Sequence, residues 1–491
     1  MKRENKLLVI ILLFSTILRL ICLDSRGINY DDAFSIFLSR QNLGSIIQGT
    51  AADTMPPLYY FLLHFWIGLS EQLWWLRFLS VLLSLGCGFM LFRIVSELFG
   101  ANAGLWAALF AGISPFQIYH AQDLRMYTLL GLSQLVYLWF FLRLSGINGA
   151  ADNKLLNWVG LVFSGSVAMY THNLAIFTLI VPDIYLLLKR RWQKLGRLLA
   201  AQLIIGVLAI PWLVMIPGQI DKIQRAFWTP RPGFVEVFQV IIIFITNLPL
   251  SEILLVLAAV LSLWILVLVS IETWKHHRTN NHLLFWLTIL IVPPLLLFLV
   301  SYIMRPVFVA RAFIVSGLAY YGLIGWVVSR SHAKPVKVFI AGSFILASLA
   351  ALPYFYTYAE FPRSPCKQAM DYLGREIYPG DIVIHDNKLS FFPCHYFAPD
   401  LPQVFLADEA GSHNDTLAIS SQLALGIFPQ ANLDQAVGDH RSIYFIVLSR
   451  AITEYKQMGQ IDHPQLVWLK EKFQLVGHDF FNDLEIYHFV E

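Results

Sequence analysis

Asp31 and Asp32 stand side by side in the run Gly27-Ile28-Asn29-Tyr30-Asp31-Asp32-Ala33-Phe34-Ser35, directly after the first long apolar stretch of the chain. A carboxylate within hydrogen-bond reach of a hydroxyl takes its proton as a general base, and a second carboxylate beside it orients it, holds substrate hydroxyls or binds a cation. Clustered acids also raise one another's pKa. The structural alternative is that Asp31 or Asp32 caps a helix beginning at Ala33. Further along, Gln122-Asp123-Leu124-Arg125-Met126-Tyr127 sets another acid beside an arginine, and Tyr170-Thr171-His172-Asn173 adds a histidine. The planar fork of arginine pairs two oxygens of a phosphate. Arg125 therefore reads as an anion-binding group, with Arg305 and Arg311 as weaker candidates and His172 as a hydrogen-bond donor. The competing reading for Arg305 and Arg311 is a side chain snorkelling to a membrane surface, and that is the expectation for Arg19.

The elements that position these residues are membrane helices. A chain of 491 residues that is 57% hydrophobic and 14% charged is no ordinary soluble domain, and its net charge of +3 is too small for a nucleic-acid partner. A spanning helix needs about 20 mostly apolar residues. Stretches of that kind run over 7–23, 75–95, 101–118, 124–143, 155–171, 173–188, 197–216, 250–272, 282–304, 311–329 and 336–354, which predicts a polytopic α-helical protein with about eleven spans. No small-residue cleavage site follows the first stretch, so it reads as an uncleaved helix.

The segment from Pro57 to Leu69 decides the orientation of everything after it. If it lies along the membrane surface, 16 of the 26 Lys and Arg before residue 355 share the side of Lys2, Arg3 and Lys6. If it crosses, fewer do, so the positive-inside rule favours the surface reading and a cytoplasmic N-terminus. Asp31 and Asp32, the Asp123-Arg125 motif, His172, Arg225 with Trp228 and Arg231, and Arg305 with Arg311 then all fall on the outer side. Charged groups at membrane depth are costly unless they face water or a partner, so such a set marks a functional site.

After Tyr354 the apolar runs shorten and charge density rises, which divides the chain into a membrane domain, 1–354, with a first outer loop over 24–74, and a soluble domain, 355–491. Within the latter, a helix-like stretch from Cys366 to Ile377 and strand-like Asp381–His385, Ser442–Leu448, Phe473–His478 and Leu484–Val490 predict an α/β fold placed outside the cytoplasm. Cys366 and Cys394 fit a disulfide in an oxidising compartment and an unpaired chance occurrence about equally well. Metal-ligand spacings such as C-x-x-C or H-E-x-x-H are absent from the sequence.

The motifs come in a particular order. Tyr30-Asp31-Asp32-Ala33-Phe34-Ser35 is followed by Met55-Pro56-Pro57-Leu58-Tyr59-Tyr60. Ser114-Pro115-Phe116-Gln117 then leads into Ala121-Gln122-Asp123-Leu124-Arg125-Met126-Tyr127, and Tyr170-Thr171-His172-Asn173 closes the series. This resembles the bacterial branch of glycosyltransferase family 39, related to protein O-mannosyltransferases and aminoarabinose transferases, over the chain to about Trp326. The resemblance implies a GT-C fold, a polyprenyl-phosphate sugar donor, an acceptor not named by the sequence, and inversion at the anomeric carbon. It implies Asp31 as general base, Asp32 and Asp123 as supporting acids, and Arg125, Tyr127, His172, Arg311 and Arg305 at the donor phosphate and sugar. No cofactor is required by this reading, although a divalent cation at Asp31, Asp32 and Asp123 is compatible with it. The sequence departs from the family pattern twice, with Asp32 and Asp123 where glutamate is usual, which shortens each reach by one methylene. A lipid-sugar flippase is the rival class; it calls for charges at mid-membrane in both halves.

Overall fold

The computed structural model describes residues 2–147, 149, 151–220, 229–276, 281–331, 333–408 and 417–491. Arg225 and Trp228 lie outside the described residues. The chain forms two compact units, one of Met1–Leu23 with Thr54–Tyr356 and one of Asp24–Asp53 with Thr357–Glu491. The segment 24–53, which the sequence analysis counts with the membrane half, thus groups with the C-terminal residues.

The first unit is helical and is the membrane part of the protein. Among the described residues, seven helices are long and apolar enough to cross a membrane: Leu73–Phe99, Tyr127–Ser145, Trp192–Leu213, Glu252–His276, His282–Ile303, Ala310–Arg330 and Lys334–Thr357. Helix also occupies the remaining apolar stretches: the first helix, Lys2–Leu20, has 19 residues but carries charged side chains toward both ends, and the others are in shorter pieces. The stretch 101–118 breaks at Ser114-Pro115 into Ala101–Ile113 and Pro115–Ala121, because proline suits the first turn of a new helix and not the interior of an old one. The stretch 173–188 is divided into a 3₁₀ turn, Asn173–Ala175, and the helices Ile176–Leu179 and Val181–Leu188. Phe234–Thr246 is a further apolar helix that the sequence analysis does not anticipate. Leu58–Ile67 has ten residues. At 1.5 Å per residue it is about 15 Å long, half the thickness of a hydrocarbon core, so it is too short to cross.

Ala310–Arg330 is the most enclosed of the long helices, with 89% of its apolar window buried. Its closeness to Ala101–Ile113 depends on Gly325, where an added Cβ would lie 2.7 Å from the Ala103 carbonyl oxygen and 2.8 Å from the Ala107 nitrogen. Small residues allow this kind of backbone approach between membrane helices.

The second unit is built on a five-stranded sheet in the order β2-β1-β3-β5-β4. Strands β1 (Ile382–His385), β2 (Gln403–Phe405) and β3 (Ser442–Leu448) are parallel, and β4 (Gln474–Phe481) and β5 (Leu484–Val490) form an antiparallel hairpin beside β3. Side chains alternate across a strand. Ile443, Phe445 and Val447 of β3 accordingly enter one core, and Tyr444, Ile446 and Leu448 enter the other. Apolar layers on both faces explain why β1 and β3 read as continuous hydrophobic runs. Cys366 and Cys394 share the second core as free thiols within hydrogen-bond reach, and burial pushes the Cys394 thiol up.

Candidate active site

In the helical unit the motif residues are held by short polar bridges between helix ends. Gln122 donates from Nε2 to the carbonyls of Arg19 (2.9 Å) and Ile21 (2.8 Å), which pins the turn after Pro115–Ala121 to the end of the first helix. Ser80 Oγ lies 3.2 Å from Tyr59 Oη and donates to the Asp123 carbonyl at 2.8 Å. Arg125, buried in this turn, donates from Nη1 to Tyr60 Oη at 3.0 Å. The Met-Pro-Pro-Leu-Tyr-Tyr motif and the Gln-Asp-Leu-Arg motif therefore meet through Tyr59, Tyr60 and Ser80.

His172 ends the helix Leu155–Thr171 and begins the 3₁₀ turn. Its Nδ1 accepts the Leu174 amide at 3.1 Å, so in the neutral ring Nε2 carries the proton and can donate. The guanidiniums of Arg125 and Arg311 both act electrostatically on this imidazole. Tyr127 lies against it, with ring centroids 6.1 Å apart, and the His120 ring is 4.8 Å from that of Tyr127. Arg125, Tyr127, His172 and Arg311, drawn from three separated segments, thus form one cationic, aromatic cluster. Arg305 sits half-buried in the connection ahead of the 3₁₀ turn Ala310–Phe313.

Asn173 has a different part. It donates to the Thr54 carbonyl (2.9 Å) and to Gln219 Oε1 (2.8 Å) and accepts from Trp212 Nε1 (2.8 Å), a bracket that fixes the turn carrying His172. Arg19 differs from expectation. Instead of snorkelling it is buried, donating to Ser84 Oγ (3.0 Å) and to the carbonyls of Ser15 (3.1 Å), Gly112 (2.8 Å) and Ala111 (3.3 Å). The last turn of Ala101–Ile113 leaves orphan carbonyls, and Arg19 satisfies two of them.

The acid pair belongs to the sheet unit. The helix there starts at Tyr30, not Ala33, because Asn29 is its cap: Asn29 Oδ1 accepts the Asp32 amide at 2.7 Å. Neither aspartate is the cap. Both lie in the first turn, where the helix dipole favours negative charge. Asp31 is half-buried and Asp32 fully buried. Asp32 Oδ2 accepts from Arg363 Nη1 at 2.7 Å, and the same nitrogen donates to the Gly27 carbonyl at 2.7 Å. Tyr30 packs edge-on against Phe392 at 5.2 Å, and Lys388 Nζ stands 5.5 Å from the Tyr30 ring. Arg363 is not among the site residues predicted from the sequence. Its signal is the Phe361-Pro362-Arg363-Ser364-Pro365 run, a charge between two prolines just beyond the last apolar stretch. Among the described residues no three His, Cys, Asp or Glu side chains gather as a metal cage.

Comparison with known proteins agrees with the glycosyltransferase family 39 superfamily read from the motifs. Residues 54–215, less than half of the chain, match the family model described as dolichyl-phosphate-mannose-protein mannosyltransferase. No curated protein matches the sequence. The fold is similar to that of ArnT from Cupriavidus metallidurans. The apo structure superposes with a TM-score of 0.63 at 12% identity, over 98% of this chain and 97% of that one. The ArnT structure bound to undecaprenyl phosphate gives 0.64 at the same identity and coverage. The oligosaccharyltransferase of Archaeoglobus fulgidus, in complex with Zn and sulfate, gives 0.53 at 13% identity, over 98% of this chain and 72% of that one. The molecule is thus a polytopic helical membrane protein of GT-C fold with a C-terminal α/β unit.

Proposed function

We propose that this chain is an inverting membrane glycosyltransferase that moves a sugar from a polyprenyl-phosphate carrier to an acceptor hydroxyl on a protein, lipid or glycan. The observation that carries this reading is the gathering of Arg125, Arg311 and Tyr127 around His172. Breaking the bond between the anomeric carbon and the carrier phosphate leaves charge on phosphate oxygens, and fixed cations stabilise it as it develops. Arg125 takes the phosphate, with Arg311 and His172 Nε2 beside it, while Tyr127 orients the sugar and Arg305 is the weakest of the set. The acceptor oxygen attacks the anomeric carbon, its proton passes to Asp31, and the electron pair leaves with the lipid phosphate. Asp32 and Asp123 support this chemistry without taking the proton.

The ArnT structure with undecaprenyl phosphate and the match to the dolichyl-phosphate-mannose-protein mannosyltransferase family support the choice of donor. A divalent cation at Asp31, Asp32 and Asp123 fits less well, since Asp32 already spends an oxygen on Arg363. The positive-inside count, together with the ten-residue length of Leu58–Ile67, supports placement in the plasma or inner membrane with a cytoplasmic N-terminus and an extracytoplasmic C-terminal domain. In intact cells, an impermeant thiol reagent should label Gln460→Cys strongly and Gln193→Cys weakly; the reverse pattern inverts this topology.

Purified protein incubated with defined polyprenyl-phosphate sugars and scored for release of lipid phosphate tests the activity. Asp31→Asn is nearly isosteric but takes no proton at neutral pH. It should lower turnover about 10²- to 10⁴-fold with donor binding retained. Near-full transfer by Asp31→Asn removes the base assignment, and a larger loss at Asp123→Asn names the replacement.

A further inference from the structure

Asp32 and Arg363 stand 331 residues apart in sequence, yet their side chains meet at 2.7 Å with relative exposures of 0% and 1%. A fully buried ion pair is a poor source of stability, because the desolvation of two charges offsets most of their attraction. What such a pair does well is fix geometry, and the surroundings of this one are built for that. The backbone at 363–364 presses on Gly27, where an added Cβ would lie 2.8 Å from the Arg363 carbonyl oxygen and 3.2 Å from that of Ser364, so only glycine fits. Arg363 returns the contact by donating to the Gly27 carbonyl. Its own segment is tied to the β4–β5 turn. Asp483 Oδ2 accepts from the Phe361 amide (2.7 Å) and Ser364 Oγ (3.1 Å), and Asn482 Nδ2 donates to the Ala359 carbonyl at 3.0 Å. The Asp483 carbonyl in turn accepts the Ser449 amide at the end of β3, at 2.8 Å. Hydrogen bonds on either side of the short segment 361–364 therefore connect the sheet to the first turn of Tyr30–Ser39.

We propose that Arg363 is a positioning residue for the acid pair, and that the C-terminal sheet domain takes part in catalysis by holding, through Arg363 and Asp32, the helix turn that aims the Asp31 carboxylate. Two adjacent carboxylates repel each other, and the guanidinium cancels the charge of the buried one. The pair is thereby divided: Asp32 is committed to structure, and half-exposed Asp31 is the acid presented to substrate. This inference rests on the assignment of Asp31 as the base.

The test is steady-state kinetics of the full-length protein in detergent, with a polyprenyl-phosphate sugar varied at saturating acceptor and each variant's thermal unfolding measured alongside. A misplacement of about 1 Å costs on the order of 10²-fold in rate. Arg363→Met should therefore lose kcat about 10- to 100-fold at unchanged donor KM. Arg363→Lys, which keeps the charge, should recover a large part of kcat. Because Arg363→Met leaves Asp32 buried without its partner, Asp32→Asn/Arg363→Met removes both charges together. It should fold and lose kcat no further than either single change, the non-additivity expected of one unit. Wild-type kcat in the folded double variant overturns the proposal, as does a loss confined to donor KM or no recovery in Arg363→Lys. Asp31→Asn, assayed in parallel, separates the two readings: if it is inactive while the double variant is fully active, only the role of Arg363 fails, and if it is active the base assignment fails first.

Discussion

Arg19 in the helical unit and Arg363 in the sheet unit are buried to nearly the same degree, and they are satisfied in opposite ways. Arg19 binds the carbonyls of Ser15, Ala111 and Gly112 and the hydroxyl of Ser84. Arg363 binds a carboxylate and a carbonyl. The carbonyls of Ala111 and Gly112 carry the partial negative charge of a helix C-terminus, so they hold a guanidinium while cancelling only part of its charge. A carboxylate cancels all of it. In the helical unit the charge of the buried arginine is thus offset only in part, whereas the sheet unit neutralises its buried arginine and uses it as a strut. The same side chain serves as scaffold in both places, with opposite consequences for local charge.

The contrast is broken most severely at Arg19. Arg19→Met leaves the carbonyls of Ala111 and Gly112 and the Ser84 hydroxyl without this donor, and each buried polar group left unsatisfied costs about 1–3 kcal/mol. The expected result is a marked fall in thermal stability in detergent, with donor affinity of the folded fraction unchanged. A stable Arg19→Met protein with weakened donor binding would instead move Arg19 into the phosphate site.

Arg125 sharpens the contrast from the other side, as an arginine assigned to ligand. Arg125→Lys keeps the charge and removes the fork, a change that is not conservative where two oxygens are gripped. Hydrogen bonds to charged groups are worth about 1.5–3 kcal/mol, so donor affinity should fall about tenfold to a hundredfold while unfolding temperature changes little. Affinity for the lipid-phosphate sugar that is unchanged in Arg125→Lys and Arg125→Ala transfers the phosphate to Arg311 or Arg305.

How far each region could be read from sequence follows the same division. The motif residues Arg125, Tyr127 and His172 are legible because each is flanked by a local signal, a break in an apolar stretch filled by polar groups. The strands β1 and β3 are legible because both faces of the sheet are covered and the runs are almost entirely apolar. β2, with three residues, is too short to show periodicity. The helix start at Tyr30 is misplaced to Ala33 because Asn29 competes with two aspartates as cap, and only the backbone geometry decides among them. The roles of Arg19 and Arg363 are illegible for a different reason. Their chief partners lie 65 to 93 and 331 to 336 residues away, and nothing in a local window records that distance.

The smallest expected effect is confined to the sheet unit and concerns two neighbours at the carboxyl end of β1. Burial pushes His385 down to about 3 and Asp386 up to about 7, the latter helped by repulsion from Asp408. Between about pH 4 and 6.5 the unfolded chain protonates His385 and the folded chain does not, so acidification costs stability through this residue. Over the same interval the folded chain protonates Asp386 while the unfolded chain leaves it ionised, so acidification adds stability through that one. Each slope is at most about 1.4 kcal/mol per pH unit, and the two oppose. His385→Asn should therefore make the sheet unit relatively more stable toward acid than the parent, and Asp386→Asn relatively less. Amide exchange protection of β1 and β3 in the full-length protein, compared at pH 4.5 and 6.5, measures both differences. Equal pH dependence in parent and both variants would mean that neither group is held away from its ordinary range, and parallel shifts of the same sign would mean that one of the two directions is reversed.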